Sequence, residues 1–248
     1  MNSQDKQDKF EGAPSETRSG YQRVHPEAVP PRRSLLGRFM LWIGRHPMAA
    51  RLDLQYLGQE NIPSDTNFII APNHQSYLDG MWTLNGMSRK DREATCVMVG
   101  ADLKDDYGFV GKMLYYSARP IAVERKGNPV RSLIKAKNAL LEGENVLIHP
   151  EGTRSSDGRL AELHNGAAWL SHKCRVPILP VYLDGAYEIW PRQKERPSFR
   201  DPESGKKRRL RVHYLPVIQP WDFDSQDDIQ KRLLEALTEA ETKALAQK

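Results

Sequence analysis

Short apolar, β-branched runs alternate with longer helix-like segments from about residue 52 to the end of the chain. The predicted strands cover residues 67–71, 95–99, 120–124, 145–149, 177–183 and 209–215. The predicted helices are clearest at residues 129–142, 165–174 and 225–246, and the first of these opens at a proline and stops before Gly143. This rhythm predicts a single α/β domain with a mixed, mostly parallel central sheet flanked by helices.

The 248 residues are enough for one large domain of this kind, with extensions. Residues 1–33 are rich in charged residues, serine, proline and glycine, and we expect them to form a disordered polar tail without the apolar core of a signal peptide. Residues 34–51 form a separate amphipathic region, and the α/β domain occupies residues 52–248. No window approaches the run of about 18 apolar residues that a membrane-spanning helix needs. We therefore expect a cytoplasmic protein.

The segment 34–43 places its apolar residues on one broad face of a predicted helix, and these residues are Leu35, Leu36, Phe39, Met40, Trp42 and Ile43. Arg38 and Arg45 lie toward the other side. Aromatic residues next to arginines are typical of a helix that lies in the interface of an anionic bilayer. The alternative is that the same apolar stripe packs on the protein's own core, because a single stripe looks alike in both settings.

The net charge of +5 favours anionic partners: nucleic acid, phosphorylated metabolites or an acidic membrane surface. Nucleic acid is disfavoured because the basic residues are scattered and no aromatic platform accompanies them. The basic, proline-rich segment 191–208 interrupts the α/β rhythm and is predicted to be a surface loop or hairpin, either simply solvated or a second contact with an anionic surface. Cys96 and Cys174 lie in apolar surroundings, which favours buried thiols in a reducing compartment.

The stretch "IIAPNHQSYLDG" contains a histidine, His74, and an aspartate, Asp79, just after a predicted buried strand. Ligands of open α/β sheets collect at the carboxyl ends of strands. Five residues of regular helix would put these side chains about 140° apart, so His74 must stand in the turn before the helix if Asp79 is to reach its ring. An imidazole oriented by a carboxylate can act as a general base, but a histidine and an aspartate at this spacing are more often only part of a polar turn.

Three further stretches accompany it in order: "RPIAVER", "HPEGTRS" and "VPILPVYLDG". With "NHQSYLD", they resemble the motifs of the glycerolipid acyltransferase family, whose members acylate lysophosphatidic acid or glycerol 3-phosphate. "NHQSYLD" is similar to the family's Asn-His-x4-Asp motif, and "HPEGTRS" to its Pro-Glu-Gly-Thr-Arg block. The other two look like a strand that ends in an arginine and a strand with a Val-Pro-x-x-Pro-Val block. The resemblance covers roughly residues 52–220.

The resemblance implies transfer of a fatty acyl group from acyl-CoA or acyl-carrier protein to a lysolipid hydroxyl. His74 would be the base and Asp79 its orienting carboxylate, without a covalent acyl-enzyme. The substrate-binding candidates are Asn73, Arg125, Glu151, Gly152, Thr153, Arg154, His164, Gly166 and Pro180. Neither a metal nor a cofactor is expected, since no cluster has metal-ligand spacing.

Arg125 and Arg154 are suited to a phosphate or another anionic headgroup. The alternatives are an Arg154 that pairs with Glu151 to fix the loop and an Arg125 that is only an exposed strand end. Many relatives have a lysine where this chain has Gly100, and another where it has His164. These two differences remove permanent positive charge, so the acceptor either carries less phosphate charge than lysophosphatidate or contacts the enzyme differently.

Two alternatives belong to other functional classes. A hydrolase would use the same histidine to activate water on an acyl thioester, whereas a non-catalytic lipid-surface module would not need His74 or Asp79.

Taken as a whole, the sequence predicts an O-acyltransferase of phospholipid biosynthesis or remodelling. It would be associated peripherally with the inner face of the cell membrane. His149 and His164 lie near the predicted site, as lining or structural residues.

Overall fold

The computed structural model describes residues 46–101, 118–123 and 129–247, together with residues 38, 39, 42, 112 and 115. Seven strands of the described chain form one sheet in the order β1-β7-β6-β2-β5-β3-β4. Their bounds are β1 Asp53–Leu57, β2 Ile69–Pro72, β3 Thr95–Gly100, β4 Pro120–Val123, β5 Asn145–Leu147, β6 Ile178–Asp184 and β7 Arg209–Tyr214. Neighbouring strands are parallel except β6 and β7, which are antiparallel.

Helices connect these strands and cover both faces of the sheet. Their bounds are α1 Asp79–Asn85, α2 Arg89–Glu93, α3 Pro129–Leu141, α4 Gly166–Cys174, α5 Ala186–Ile189 and α6 Gln226–Leu245, with short 3-10 turns at Gln59–Asn61 and Pro220–Asp222. Ser225 caps the first turn of α6, because its side chain accepts a hydrogen bond from the backbone N–H of Asp228.

The core divides into two layers because successive strand residues point to opposite faces. In β2, Ile69 packs with α3, α4 and α6, whereas Ile70 packs on the other face with Trp82 of α1 and Ile189 of α5. Both faces of the central strands are therefore apolar, as in other sheets covered by helices on both sides.

The prediction of a mixed, mostly parallel sheet flanked by helices is confirmed. All six predicted strands are present within a few residues, and so are the three clearest helices. The sequence did not predict β1, an edge strand whose residues Asp53, Gln55 and Leu57 are exposed. Half of such a strand is solvated, so its sequence lacks the continuous apolar run of the central strands.

The predicted amphipathic segment is described only at three of its positions, Arg38, Phe39 and Trp42, which are helical. The side chains of Phe39 and Trp42 are 57% and 53% exposed, and their rings stack with centroids 6.4 Å apart. The predicted tail, residues 1–33, lies outside the described residues. Within the described part of the chain, no helix combines the length and the apolarity needed to cross a bilayer.

The basic segment 191–208 is largely irregular and ends in a hairpin-like turn, as predicted. Arg200 and Lys207 form an isolated antiparallel bridge across this turn. The ammonium group of Lys207 donates to the carbonyl of Ala50, 2.8 Å away, and so joins the turn to the start of the folded domain.

Candidate active site

The turn between β2 and α1 presents His74 at the carboxyl end of the sheet. Because α1 begins at Asp79, His74 stands in the turn that precedes the helix, as the angular argument required. Its Nδ1 lies 3.0 Å from Oδ2 of Asp79. A carboxylate accepts, so Nδ1 carries the proton and Nε2 has the lone pair. The side chain of His74 is 20% exposed, whereas that of Asp79 is fully buried.

Asp79 is held by the backbone of the same turn. Its Oδ2 accepts from the N–H groups of Gln75 and Ser76 at 2.6 and 2.7 Å, and its Oδ1 accepts from the hydroxyl of Ser76 at 2.7 Å. Burial raises the pKa of Asp79 above its ordinary value, although these hydrogen bonds favour the charged form. Ser76 was not among the predicted site residues, yet it fixes the carboxylate that contacts His74.

The loop after β5 reaches the His74 turn through Glu151. The Oε1 atom of this buried carboxylate accepts from the N–H of His74 at 2.6 Å, and its Oε2 accepts from the N–H of Ala161 at 2.9 Å. Burial raises the pKa of Glu151 from 4.5 to about 7. A second link runs from the N–H of Ser155 to the carbonyl of His74 at 2.7 Å. Glu151 therefore supports the turn that carries the candidate base.

The tip of this loop is exposed at Gly152 and Thr153. Gly152 has a φ of 66°, and a Cβ at this position would lie 2.8 Å from Cδ2 of His164. Glycine is thus required twice, for the left-handed backbone and for the close approach of the His164 ring. Because His164 itself is exposed, it lies at the rim of the site.

Arg154 folds back over the His74 turn and does not pair with Glu151. Its guanidinium carbon lies 3.4 Å from the centroid of the Tyr77 ring. The side chain is 9% exposed, and Nη1 has no hydrogen-bond partner within the described residues. Tyr77 was not predicted as a site residue. The face of the Tyr77 ring contacts the buried guanidinium of Arg154, and Tyr77 itself is three residues after His74 in the sequence.

Three of the predicted binding residues make structural contacts within the scaffold. Both amide atoms of Asn73 bond to the backbone of Leu183, which joins the end of β2 to the end of β6. Pro180 is buried within β6, opposite Ala71 of β2. Gly166 begins α4 close to Ile148. These contacts are structural, and a direct role in substrate binding stays a prediction for all three.

Arg125 lies outside the described residues, so its predicted anion contact stays a prediction. Gly100 is the last residue of β3. Within the described chain, no group of three or more histidine, cysteine, aspartate or glutamate side chains is arranged to hold a metal ion.

His149 lies much closer to His74 than the sequence indicated. The two rings are stacked, with centroids 3.8 Å apart and planes inclined by 15°. This contact depends on the register of β2 with β5, in which Ile70 is opposite Leu147. The strand pattern suggested that both histidines lie at one edge of the sheet, but it contains no information on ring geometry.

Comparison with known proteins assigns this arrangement to a family. A model of the acyltransferase family matches residues 53–184, more than half of the 248 residues. The chain belongs to the acyltransferase family. The match begins at β1 and ends with β6, so it contains the His74 turn, the Glu151 loop and every predicted site residue.

Several 1-acyl-sn-glycerol-3-phosphate acyltransferases are similar to this acyltransferase. A chloroplastic enzyme of Brassica napus is 33% identical over 147 residues, which are 58% of this chain and 40% of the relative. A relative from Limnanthes alba is 27% identical over 210 residues, covering 80% of this chain and 65% of the relative. The chain thus spans well under half the length of the Brassica protein.

A solved structure shares the fold of this acyltransferase. The 1-acyl-sn-glycerophosphate acyltransferase PlsC from Thermotoga maritima superposes with a TM-score of 0.67 and 23% sequence identity. The superposition covers 85% of this chain and 80% of the other. At this identity, the likeness concerns the fold.

Proposed function

We propose that this acyltransferase transfers a fatty acyl group from acyl-CoA or acyl-carrier protein to the hydroxyl of a lysolipid such as 1-acylglycerol 3-phosphate. The observation that carries the proposal is the hydrogen bond between Nδ1 of His74 and the buried carboxylate of Asp79 at the carboxyl edge of the sheet. The names of the relatives from Brassica napus and Limnanthes alba support the same reaction.

His74 acts as a general base through Nε2. It takes the proton of the acceptor hydroxyl while the hydroxyl oxygen attacks the thioester carbonyl, which gives a tetrahedral oxyanion. When the oxyanion collapses, the carbon–sulfur bond breaks, the thiolate leaves and His74 returns the proton to it. Asp79 keeps the proton of His74 on Nδ1 and stabilises the imidazolium that forms between the two steps. The acyl group passes directly from donor to acceptor, without a covalent acyl-enzyme.

Arg154 is the candidate contact for the acceptor's anionic headgroup. The guanidinium faces Tyr77, and its Nη1 donor is buried without a hydrogen-bond partner in the described chain. A buried charged donor without a partner is costly unless an anion binds there. The same loop contacts the backbone of His74, so an anion on Arg154 would lie on the side of the turn that carries the base.

The bilayer surface is the proposed place of action, at the inner face of the cell membrane. The support is the exposed aromatic pair Phe39 and Trp42 on helical backbone. Exposed Trp and Phe side chains are typical of interfacial helices, and both substrates have chains that partition into a membrane.

Incubation of the purified protein with labelled acyl-CoA and a panel of lysolipids, followed by lipid extraction, tests this function. We expect labelled diacyl product that depends on the acceptor, with a preference that identifies the headgroup. Repetition with acyl-carrier protein identifies the donor. Release of labelled fatty acid at the same rate with and without acceptor would indicate a hydrolase and contradict the proposal.

A further inference from the structure

His149 contacts His74 across two neighbouring strands. Because β2 and β5 are parallel and adjacent, the residues that follow them leave the sheet at the same edge. The His149 ring lies flat on the His74 ring, with 3.8 Å between centroids and 15° between planes. A face-to-face contact of this kind restricts rotation of either ring out of its plane, because rotation would bring the edge of one ring into the face of the other.

His149 is itself anchored to the turn that carries His74. Its Nδ1 lies 3.2 Å from the carbonyl oxygen of Pro72 and 3.3 Å from that of Asn73. Carbonyl oxygens only accept, so Nδ1 is the protonated nitrogen of His149. The ring therefore bonds to the backbone immediately before His74 while its face covers the side chain of His74.

His149 is neutral in this environment. Burial, followed by the nearby His74, lowers the pKa of His149 from 6.5 to about 3, and Asp79 opposes the shift only in part. Among the residues that the structure describes, the carboxyl groups that bond to the His74 turn are those of Asp79 and Glu151. An uncharged ring adds no positive charge beside His74 when His74 accepts a proton.

The hydrogen bond to Asp79 fixes only one direction of the His74 ring. A hydrogen bond at Nδ1 does not by itself oppose rotation about the axis of that bond, and such rotation would move Nε2 away from the acceptor hydroxyl. The stacked His149 ring adds a constraint on the plane of His74.

We propose that His149 is a positioning residue. Its neutral, flat ring is anchored by the carbonyl oxygens of Pro72 and Asn73, and it sets the ring plane of His74 and so the direction of Nε2. The inference rests on the proposed function, in which His74 is the base. It assigns to His149 no contact with substrate and no proton transfer.

Two substitutions distinguish the effect of a flat ring at position 149 from the effect of a group that titrates there. His149→Phe keeps a flat ring but cannot titrate, and His149→Leu keeps apolar volume without a flat ring. We expect kcat of the Phe variant within about threefold of wild type and kcat of the Leu variant about 10- to 100-fold lower, since misplaced catalytic groups lose rate on this scale. KM should change little in either. His172→Leu, at a half-buried histidine of α4, is the matched control and should keep wild-type kinetics.

The pH profile of kcat/KM distinguishes positioning from electrostatics. If His149 is neutral throughout, the acid limb of the Phe variant coincides with that of wild type. If His149 carried charge in the working range, loss of a positive neighbour would favour protonated His74 and move the acid limb to higher pH. A move of the acid limb to higher pH in the Phe variant would overturn the proposal. Equal losses of kcat in the Phe and Leu variants, or a wild-type kcat in the Leu variant, would also overturn it.

Nitrogen-detected NMR of the His74 ring gives a readout that does not require turnover. Wild type and the Phe variant should show the Nδ1-protonated tautomer, whereas the Leu variant should show a mixture because its ring leaves Asp79 part of the time. An unchanged tautomer in the Leu variant would overturn the positioning role. Absence of acyl transfer by the wild type would instead contradict the proposed function and leave this test in place.

Discussion

The carboxylate of Glu151 accepts a hydrogen bond from the backbone N–H of His74, 2.6 Å away and 77 positions earlier in the chain. The bond joins the turn after β2 to the loop after β5, so the two motif-bearing segments form one unit. Glu151 is buried, and its second oxygen accepts from Ala161. Glu151 thus supports the turn that carries the candidate base, and its protonation should affect the stability of the fold.

Glu151 should make stability depend on pH. Burial raises its pKa from 4.5 to about 7. A carboxyl group that binds protons more tightly in the folded state stabilises the fold below its unfolded pKa, and this contribution is lost as pH rises through the folded pKa. We therefore expect Glu151→Gln, which does not titrate, to show a smaller fall in the free energy of unfolding between about pH 4.5 and pH 7 than wild type. Urea denaturation across this range measures the difference.

The exposed Glu162, in the same loop, provides the control. Glu162→Gln should retain the wild-type pH dependence. An identical slope in the Glu151→Gln and wild-type proteins would show that Glu151 titrates alike in the folded and unfolded chains.

Asp79→Asn should lower kcat by about 10²- to 10⁴-fold, with a much smaller change in KM. Even if the amide oxygen takes the place of Oδ2 and accepts from His74, Gln75 and Ser76, the neutral amide no longer stabilises the imidazolium that forms on His74. Steady-state kinetics measure this, with Asp53→Asn on the exposed edge strand as the control. A defect confined to KM would argue against an orienting role.

Arg154→Lys should raise KM for 1-acylglycerol 3-phosphate by about tenfold while kcat changes less, because lysine keeps the charge but loses the planar contact with Tyr77 and the forked donors. Initial rates at varied acceptor concentration give both constants. Arg159→Gln, at an exposed arginine of the same loop, should leave KM unchanged. Equal KM values in wild type and Arg154→Lys would remove Arg154 from the acceptor site.

Replacement of both Phe39 and Trp42 by serine should weaken binding to vesicles that contain anionic lipid, since it removes two exposed aromatic side chains from the proposed interface. Vesicle co-sedimentation measures the loss. The matched control replaces Trp221 and Leu234, which are 47% and 44% exposed elsewhere on the surface. If the two double variants bind vesicles equally well, the helix is not the membrane contact.

The positions of six strands along the chain and the turn at His74 were predictable from local pattern. Apolar runs such as "NVLIH" stop where polar residues begin, and the angular separation of five residues placed His74 outside the helix. Edge strand β1 was missed because its alternate residues are exposed. The stacking of His149 on His74 and the contact of Arg154 with Tyr77 were not predictable, because they arise from register and loop path across more than seventy residues.

The central claim is that His74 is the base for acyl transfer, and the rate of the His74→Ala variant tests it most directly. Labelled acyl-CoA and the preferred lysolipid are supplied at saturating concentration to wild type and variant, with circular dichroism and vesicle binding as checks on folding and attachment. The account predicts a folded, membrane-binding protein whose rate of product formation falls by at least about 10²-fold. Product formation within a few-fold of the wild-type rate would contradict it.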